Sequence, residues 1–450
     1  MNEAMKDLIA IGTHVIIKKQ NYSKVYKVTK NGNLMLGKHQ KVHMNEIIGK
    51  PYWSTFEMIP NSERKTFDLR LAEKSEEIEE TGSWFDLQDR LPSGPDNRFI
   101  IDDGTSQKLS KEQIIELQES GTSGKEIVGQ LIENSKSFVE KTKYSQEKYI
   151  KKKQKKYFRY ITVFKTSILG LHEIYFRQDH SKINNIRMDS LAQLLSYSDV
   201  QSDGLFVLYD SGSQGLPAAA MLNRIGANNT GTLINLHPGN QPQIAIVQAM
   251  NFPKEQAERL ISVNVYSFLR LYYQGESSVL SECKLLNDYY INKNIISDES
   301  ITVLNNTDIE KDDNNLETKS EINLLKRKND ELVNSSPIKK PKWLLETQMA
   351  INIIKESKAR GLVIVAKEHP LNIINGLLPF LGFSRPFVIY HMYREPLQET
   401  YVALKQRQGV INLRLYSNFL RAYQVLPERT HPDILTNDTN GYILTGYLVE

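Results

Sequence analysis

The stretch of this 450-residue chain best suited to chemistry is Asp210-Ser211-Gly212-Ser213-Gln214-Gly215. It follows an apolar run, Leu205-Phe206-Val207-Leu208-Tyr209, and precedes a helix-like segment over 217–225. A strand, a glycine turn and a helix in that order suit a nucleotide-type cofactor. The glycines let backbone approach the ligand, and the helix N-terminus favours negative charge. Asp210, Gly212 and Gly215 are the candidate contacts, while Gln214 stands where such loops often carry another glycine. The second requirement is a carboxylate at the end of the next strand, to accept from ribose hydroxyls. Here Gly231-Thr232-Leu233-Ile234-Asn235-Leu236 runs into His237-Pro238-Gly239-Asn240, with no acid. Imidazole offers one hydrogen bond and cannot replace a bidentate acceptor. The alternative to a cofactor loop is a purely structural strand-to-helix turn.

Methyltransferases that use S-adenosylmethionine place an acid–glycine–glycine loop at this point, and base methyltransferases often add an acid-x-Pro to hold the target amino group. Ala366-Lys367-Glu368-His369-Pro370 matches that acid loosely at Glu368, although a surface ion pair with Lys367 is the plainer expectation. Other chemistries fit less well. Ser211-Gly212-Ser213-Gln214-Gly215 lacks the leading glycine of a nucleophile elbow, and no P-loop is present. His39 and His43 are four apart without a nearby third ligand, so no metal site is expected. A single cysteine, Cys283, excludes an intramolecular disulfide framework and fits the cytosol or nucleus.

A different chemistry is concentrated in residues 141–160, KTKYSQEKYIKKKQKKYFRY, with nine basic residues and one acid. Lys148, Lys151, Lys152, Lys153, Lys155, Lys156 and Arg159 are the candidates for salt-dependent binding of nucleic acid, because lysines neutralise phosphates by counterion release. The interleaved Tyr144, Tyr149, Tyr157, Phe158 and Tyr160 either stack on unpaired bases or pack one helix face, and packing is expected for most. A merely solvated helix face is the alternative for the lysines. A second basic set, Arg394, Lys405, Arg407, Arg414, Arg421 and Arg429, lies towards the C-terminus.

Elements must position these groups. Residues 1–90 are expected to form a β-rich, barrel-like domain, from short strands at His14-Val15-Ile16-Ile17, Lys24–Val28, Leu34–Gly37 and Thr55-Phe56-Glu57. Asn31-Gly32 between two of them is a hairpin signal. Residues 96–160 read as a helical linker carrying the basic arm, with the Ser-x-x-Gln of a capping box at Ser110 and a second helix start at Ser123. From 185 to 450, strand runs alternate with helical patterns, which argues for a parallel α/β sheet. That sheet is interrupted at about 276–342. The window 297–321 holds eight acids against two lysines and no aromatic residue, so a disordered insertion is expected. Its basic clusters Lys326-Arg327-Lys328 and Lys339-Lys340-Pro341-Lys342 suit a nuclear import signal or a solvated charge run. No apolar run is long enough to span a membrane, and the first residues read as neither signal nor transit peptide. The net charge of +4 is too small to name a partner by itself.

Four stretches together resemble the non-catalytic subunit of the eukaryotic tRNA (adenine-58-N1)-methyltransferase. They are Ile48-Gly-Lys-Pro-Tyr52 with Thr55-Phe-Glu57; Asp96-Asn-Arg98 with Asp102–Leu109; Leu131–Lys136 running into Tyr144–Tyr149; and Arg385-Pro-Phe-Val388 with Gly409–Leu415, Tyr423–Arg429 and Gly441-Tyr442. The resemblance implies a β-rich N-terminal domain joined to a Rossmann-like class-I methyltransferase fold with a degenerate cofactor site. It implies no cofactor of the chain's own and no catalysis, with S-adenosylmethionine held by a paralogous catalytic subunit. Two copies of each subunit would form a heterotetramer in the nucleus that acts on tRNA; of the second basic set, Arg414, Arg421 and Arg429 are the further candidate RNA contacts. An active methyltransferase in its own right is the alternative; it would need His237 to hold the ribose and Glu368 the base.

Overall fold

A computed structural model describes residues 8–20, 22–37, 40–61, 66–72, 93, 94, 96, 106–120, 122–276, 341–425, 430–434 and 440–450. The chain divides into two compact units. Met1–Met188, Gln214–Ala220 and Ile244–Pro253 make the first, and Asp189–Ser213, Met221–Gln243 and Lys254–Glu450 the second.

The first unit is built on a seven-stranded, barrel-like sheet of β1 (His14–Lys19), β2 (Tyr22–Lys27), β3 (Asn33–Met35), β4 (Lys41–His43), β5 (Thr55–Asn61), β6 (Thr66–Leu71) and β7 (Tyr160–Lys165). Its order is β2-β1-β7-β5-β6-β4-β3. Side chains alternate across a strand, so Val15 and Ile17, Phe56 and Met58, and Ile161 and Val163 turn to one buried core with Leu34, Val42, Met44 and Leu69. The hairpin expected at Asn31-Gly32 does not form: β2 pairs with β1 and β3 with β4, at opposite ends of the strand order. The turn is real. Asn31 is left-handed at φ +57°. Its backbone N–H donates to the Asn45 side chain at 2.7 Å, and Met44 N–H donates to the Gly32 carbonyl at 2.9 Å. These contacts fix the turn to the β4 end, which leads the chain away from β2.

The sheet also extends past the boundary at residue 90. β7 pairs with β1 (Ile16 opposite Phe164) and with β5 (Phe56 opposite Ile161). The helical segment therefore lies, in sequence, between strands of one sheet. It contains α1 (Lys111–Glu119), α2 (Gly124–Glu133) and α3 (Lys143–Tyr157). Each begins where its sequence allows a cap. Ser110 and Gln113 form a reciprocal capping box, and Ser123 and Thr142 accept from the third residue of their helices. After β7 comes α4 (Ile168–Asp179), capped by Ser167.

The rest of the chain continues with α5 (Met188–Tyr197), β8 (Leu205–Asp210), α6 (Leu216–Ile225), β9 (Thr232–His237), α7 (Ala245–Ala249), α8 (Lys254–Ala257), β10 (Leu260–Asn264) and α9 (Val265–Gln274). Then follow α10 (Lys342–Glu356), β11 (Gly361–Val365), α11 (Pro370–Leu377), β12 (Arg385–His391), α12 (Arg394–Gln406), β13 (Val410–Ser417), a small ribbon of β14 (Tyr423–Gln424) and β15 (His431–Pro432), and β16 (Tyr442–Leu448). The large sheet runs β10-β9-β8-β11-β12-β16-β13. β8 to β12 are mutually parallel, and β16 is antiparallel between β12 and β13. The central strands β8 and β11 are buried on both faces, which is why they read as continuous apolar runs. Phe268, Leu344, Ile351, Ile374, Leu397 and Leu404 pack one face against Val207, Ile234, Ile364 and Ile389.

The acidic window, the cluster Lys326-Arg327-Lys328 and most of the 276–342 insertion lie outside the described residues. Description resumes at Pro341, the N-cap of α10, where Lys342 is paired with Glu346 at 3.4 Å. Among the described residues no helix is long and apolar enough to cross a membrane, and no group of three metal-ligating side chains occurs.

Candidate functional site

The glycine loop leaves the end of β8 as its sequence demands, but its polar groups are turned on one another. Asp210 is buried, and its two carboxylate oxygens accept from the Ser213 N–H at 3.1 Å and the Ser213 hydroxyl at 2.6 Å. The Ser211 hydroxyl accepts the Lys367 N–H at 2.7 Å, and Ser211 N–H donates to the Val365 carbonyl at 3.1 Å, which ties the loop to the end of β11. Gly212 sits at φ +96°, a region closed to most side chains. A Cβ there would stand 3.2 Å from the Lys367 ammonium and 3.6 Å from the Gln243 side chain. The space over the glycine is thus lined by a lysine and a glutamine of the chain itself. Gln214 adopts φ +58°, the conformation a glycine would supply without strain.

At the end of β9, His237 is buried and its Nδ1–H donates to the Gly239 carbonyl at 2.8 Å. Burial pushes its pKa down, only partly opposed by that bond, so the ring is neutral. Asn264 closes the same turn by donating to the Gly239 carbonyl at 2.9 Å while capping α9. The ion pair expected between Glu368 and Lys367 does not form among the described residues. Glu368 instead lies close enough to the Tyr209 hydroxyl to act on it electrostatically. Burial and the neighbouring Glu368 charge together raise the Tyr209 pKa far above the ordinary phenol value. Lys367 over Gly212 and Tyr209 beneath Glu368 are the features sequence reasoning missed. Tyr209 read only as the last apolar residue of a strand, and nothing in its spacing pointed to a carboxylate 159 residues on.

The basic arm is α3, and it has two sides. Gln146, Ile150 and Tyr157 are buried, at helical spacing; Tyr157 packs with Ile127, Val128 and Leu131 of α2, and the Gln146 amide donates to the Phe138 carbonyl at 3.0 Å. Tyr149 meets Phe138 edge to face at 5.5 Å, and burial raises its pKa. Most of the aromatics therefore pack, as expected; Tyr144 stays exposed. Lys148, Lys151, Lys152 and Lys156 are exposed. Lys151 pairs with Glu147 at 2.6 Å, and Lys156 lies over the Tyr157 ring. Lys153 is half-buried over the Tyr149 ring, and burial, then Lys156 and Lys152, lowers its pKa. The backbone of Lys155 is helical. Arg159 lies past the helix end, half-buried, and donates to the Gln118 side chain at 3.1 Å while stacking over Phe67.

In the second unit Arg414 lies exposed on β13, with Nε donating to the Asn412 side chain at 3.1 Å. Its neighbour Tyr416 stacks on Tyr197 at 5.0 Å. Arg421 is exposed, and Arg429 and His39 lie outside the described residues.

A protein-family model, described as the Gcd10p family, matches residues 8–288. The chain is 33% identical to the tRNA (adenine(58)-N(1))-methyltransferase non-catalytic subunit TRM6 of Mus musculus, covering 97% of this chain and 88% of that protein. It is 30% identical to the corresponding trm6 protein of Dictyostelium discoideum, covering 98% and 79%. Among solved structures, a SAM-dependent O-methyltransferase from Thermotoga maritima superposes with a TM-score of 0.48 at 10% identity, over 99% of this chain and 96% of that one, too loose a likeness to assign anything. With a family model spanning well over half its length and two relatives at 30% identity or more along nearly all of it, this chain belongs to the Gcd10p family.

Proposed function

We propose that this chain is the non-catalytic, tRNA-binding and assembly subunit of a tRNA (adenine(58)-N(1))-methyltransferase. The observation that carries this is the state of the loop after β8 and of the turn after β9. A donor such as S-adenosylmethionine needs a carboxylate for its ribose and open backbone over the glycines. Here the ribose position holds a neutral histidine bonded to its own turn, Asp210 is engaged by Ser213, and Lys367 lines the space over Gly212. These residues do not fit the cofactor, so methyl transfer is assigned to a paralogous catalytic subunit that holds it. Assembly as two copies of each subunit and residence in the nucleus go with the same assignment.

The tRNA contacts are assigned first to the exposed lysines of α3. Packing of Tyr157 on α2 and burial of Ile150 hold the helix, so its charges are presented on a rigid surface, and phosphate neutralisation supplies affinity. Arg414 and Arg421 are a second exposed basic set.

The test is methyl transfer to unmodified tRNA by the purified chain alone and after co-expression with the catalytic subunit. Activity is expected only in the mixture. Turnover by the single chain would overturn the assignment and make His237 and Glu368 the first residues to substitute.

A further inference from the structure

Trp53 is an outlier in two respects. Its φ of +71° lies in the left-handed region, where a bulky side chain is strained, and no other aromatic residue among the described ones adopts it. Its indole is also 63% exposed, although tryptophan is among the most costly side chains to leave in water. A strained backbone is kept only where its surroundings over-determine it. Here Trp53 N–H donates to the Val163 carbonyl at 2.7 Å, and Val163 N–H returns a bond to the Ser54 carbonyl at 3.0 Å. The ring meets Phe164 edge to face at 5.0 Å. Strand pairing and one aromatic contact thus hold the indole outward.

A cation shares its aromatic partner. Lys18 lies over the Phe164 ring at 5.9 Å, and Lys165 over the Tyr52 ring at 5.8 Å. Both lysines are exposed, and they sit on adjacent paired strands, with Lys18 opposite Thr162 and Lys165 opposite Val15. Thr55 of β5 and Thr162 of β7 are joined by a side-chain hydrogen bond of 3.0 Å. Lys18 shares the outward face with Phe164 and so stands beside the indole, whereas Lys165, opposite the core-facing Val15, belongs to the other face. Every nucleobase has a π-face to stack on an aromatic ring, and the adjoining phosphates take up positive charge. A hydrophobic protein partner would match the indole but leave the Lys18 ammonium to be desolvated.

We infer that Trp53, with Lys18, is a stacking site for an unpaired nucleobase of RNA and its adjoining phosphate, separate from the lysine helix α3. This rests on the assignment of the chain to tRNA binding, and names a second point of contact and what it grips.

The experiment uses the full chain co-expressed with its catalytic subunit and unmodified tRNA as probe, with affinity measured over a range of salt. Trp53→Gly removes the ring and suits the backbone, since glycine adopts φ +71° without strain. It is expected to weaken binding about tenfold with the salt slope unchanged. Trp53→Phe retains a face for stacking and should recover most of the loss. Lys18→Ala should lower the slope by about one. Ultraviolet cross-linking of the unmutated complex should attach tRNA to the peptide that contains Trp53, a readout independent of how any variant folds. Unchanged affinity in Trp53→Gly, or no cross-link at that peptide, would overturn the site. So would a Trp53→Gly variant that keeps its tRNA affinity but loses the catalytic subunit, since the ring would then be a protein contact. Loss of binding on removing the α3 lysines but not Trp53 would sink this site alone. A complex that binds no tRNA at all would sink the functional assignment with it.

Discussion

Burial keeps the His237 ring neutral, and this has a consequence for stability. Its native pKa is lowered, whereas in the unfolded chain it returns to about 6.5. Above that value the ring is neutral in both states and costs nothing. As pH falls below about 6.5 the unfolded chain takes up a proton that the native ring refuses, so stability declines towards the lowered native value. A His237→Asn variant should lose less melting temperature between pH 7 and pH 5 than the unmodified chain, measured by thermal denaturation across that range. An equal loss would show that the ring is not held neutral by its site. Asp210 gives a complementary test. Asp210→Ala leaves the Ser213 N–H and hydroxyl without their carboxylate, at a cost of about 1.5–3 kcal/mol. Methylation by the assembled complex should nevertheless stay near normal, because the carboxylate serves the loop and not a cofactor. A collapse of turnover in an intact complex would contradict that.

Helix α3 is held by a narrow apolar seam. Ile150, on the same helix, is 4% exposed, and Ile150→Ala should destabilise the first unit by about 2–5 kcal/mol in urea unfolding. Gly441 is the corresponding weak point of the large sheet. A Cβ there would stand 2.6 Å from the His391 carbonyl oxygen and 2.5 Å from the Tyr390 ring, and Gly441 N–H donates to the Tyr390 hydroxyl. Gly441→Ala should cost about 1–3 kcal/mol by the same measurement. The helix starts at Ser110 and Ser123 and the strands β8, β9, β11 and β12 were legible because local chemistry specifies them: caps for the first, two-sided burial for the second. The antiparallel β16 and the edge strand β13 were not. Leu413 and Leu415 are half-buried, while Ile411, Asn412 and Arg414 are exposed, so β13 carries a blurred pattern with a bulge between Ile411 and Arg414. The Asn31-Gly32 turn was legible as a turn but not as to which strands it served, because pairing is a long-range property. At the candidate site the missing acid after β9 could be read directly. The Lys367 side chain over Gly212 could not, because it comes from a different strand end.

At the scale of the whole molecule, charge is unevenly placed. The formal net charge is only +4, yet residues 141–160 carry nine basic side chains. Replacing Lys151, Lys152, Lys153, Lys155 and Lys156 by alanine takes that net charge to −1. Binding of tRNA should weaken, and its salt slope should fall by roughly two to four. The drop should be smaller than five because Lys151 is paired with Glu147 and Lys153 is half-buried. An unchanged slope in a binding assay over 50–200 mM salt would remove α3 from the interface.

The position of β7 has a consequence that is kinetic. In the order β2-β1-β7-β5-β6-β4-β3, the pair β1–β2 and the group β5-β6-β4-β3 share no strand other than β7. A nascent chain that has emerged only as far as β6 therefore holds two sheet fragments with unpaired edges, joined by no strand pairing among the described residues beyond the Leu8–Pro51 bridge. They join only after another 90 or so residues have left the ribosome and a long loop has closed, which makes the step slow and leaves the open edges exposed to other chains meanwhile. A ribosome stalled just short of Tyr160 should display a protease-sensitive first unit, and one stalled far enough past Lys165 to free β7 a resistant one.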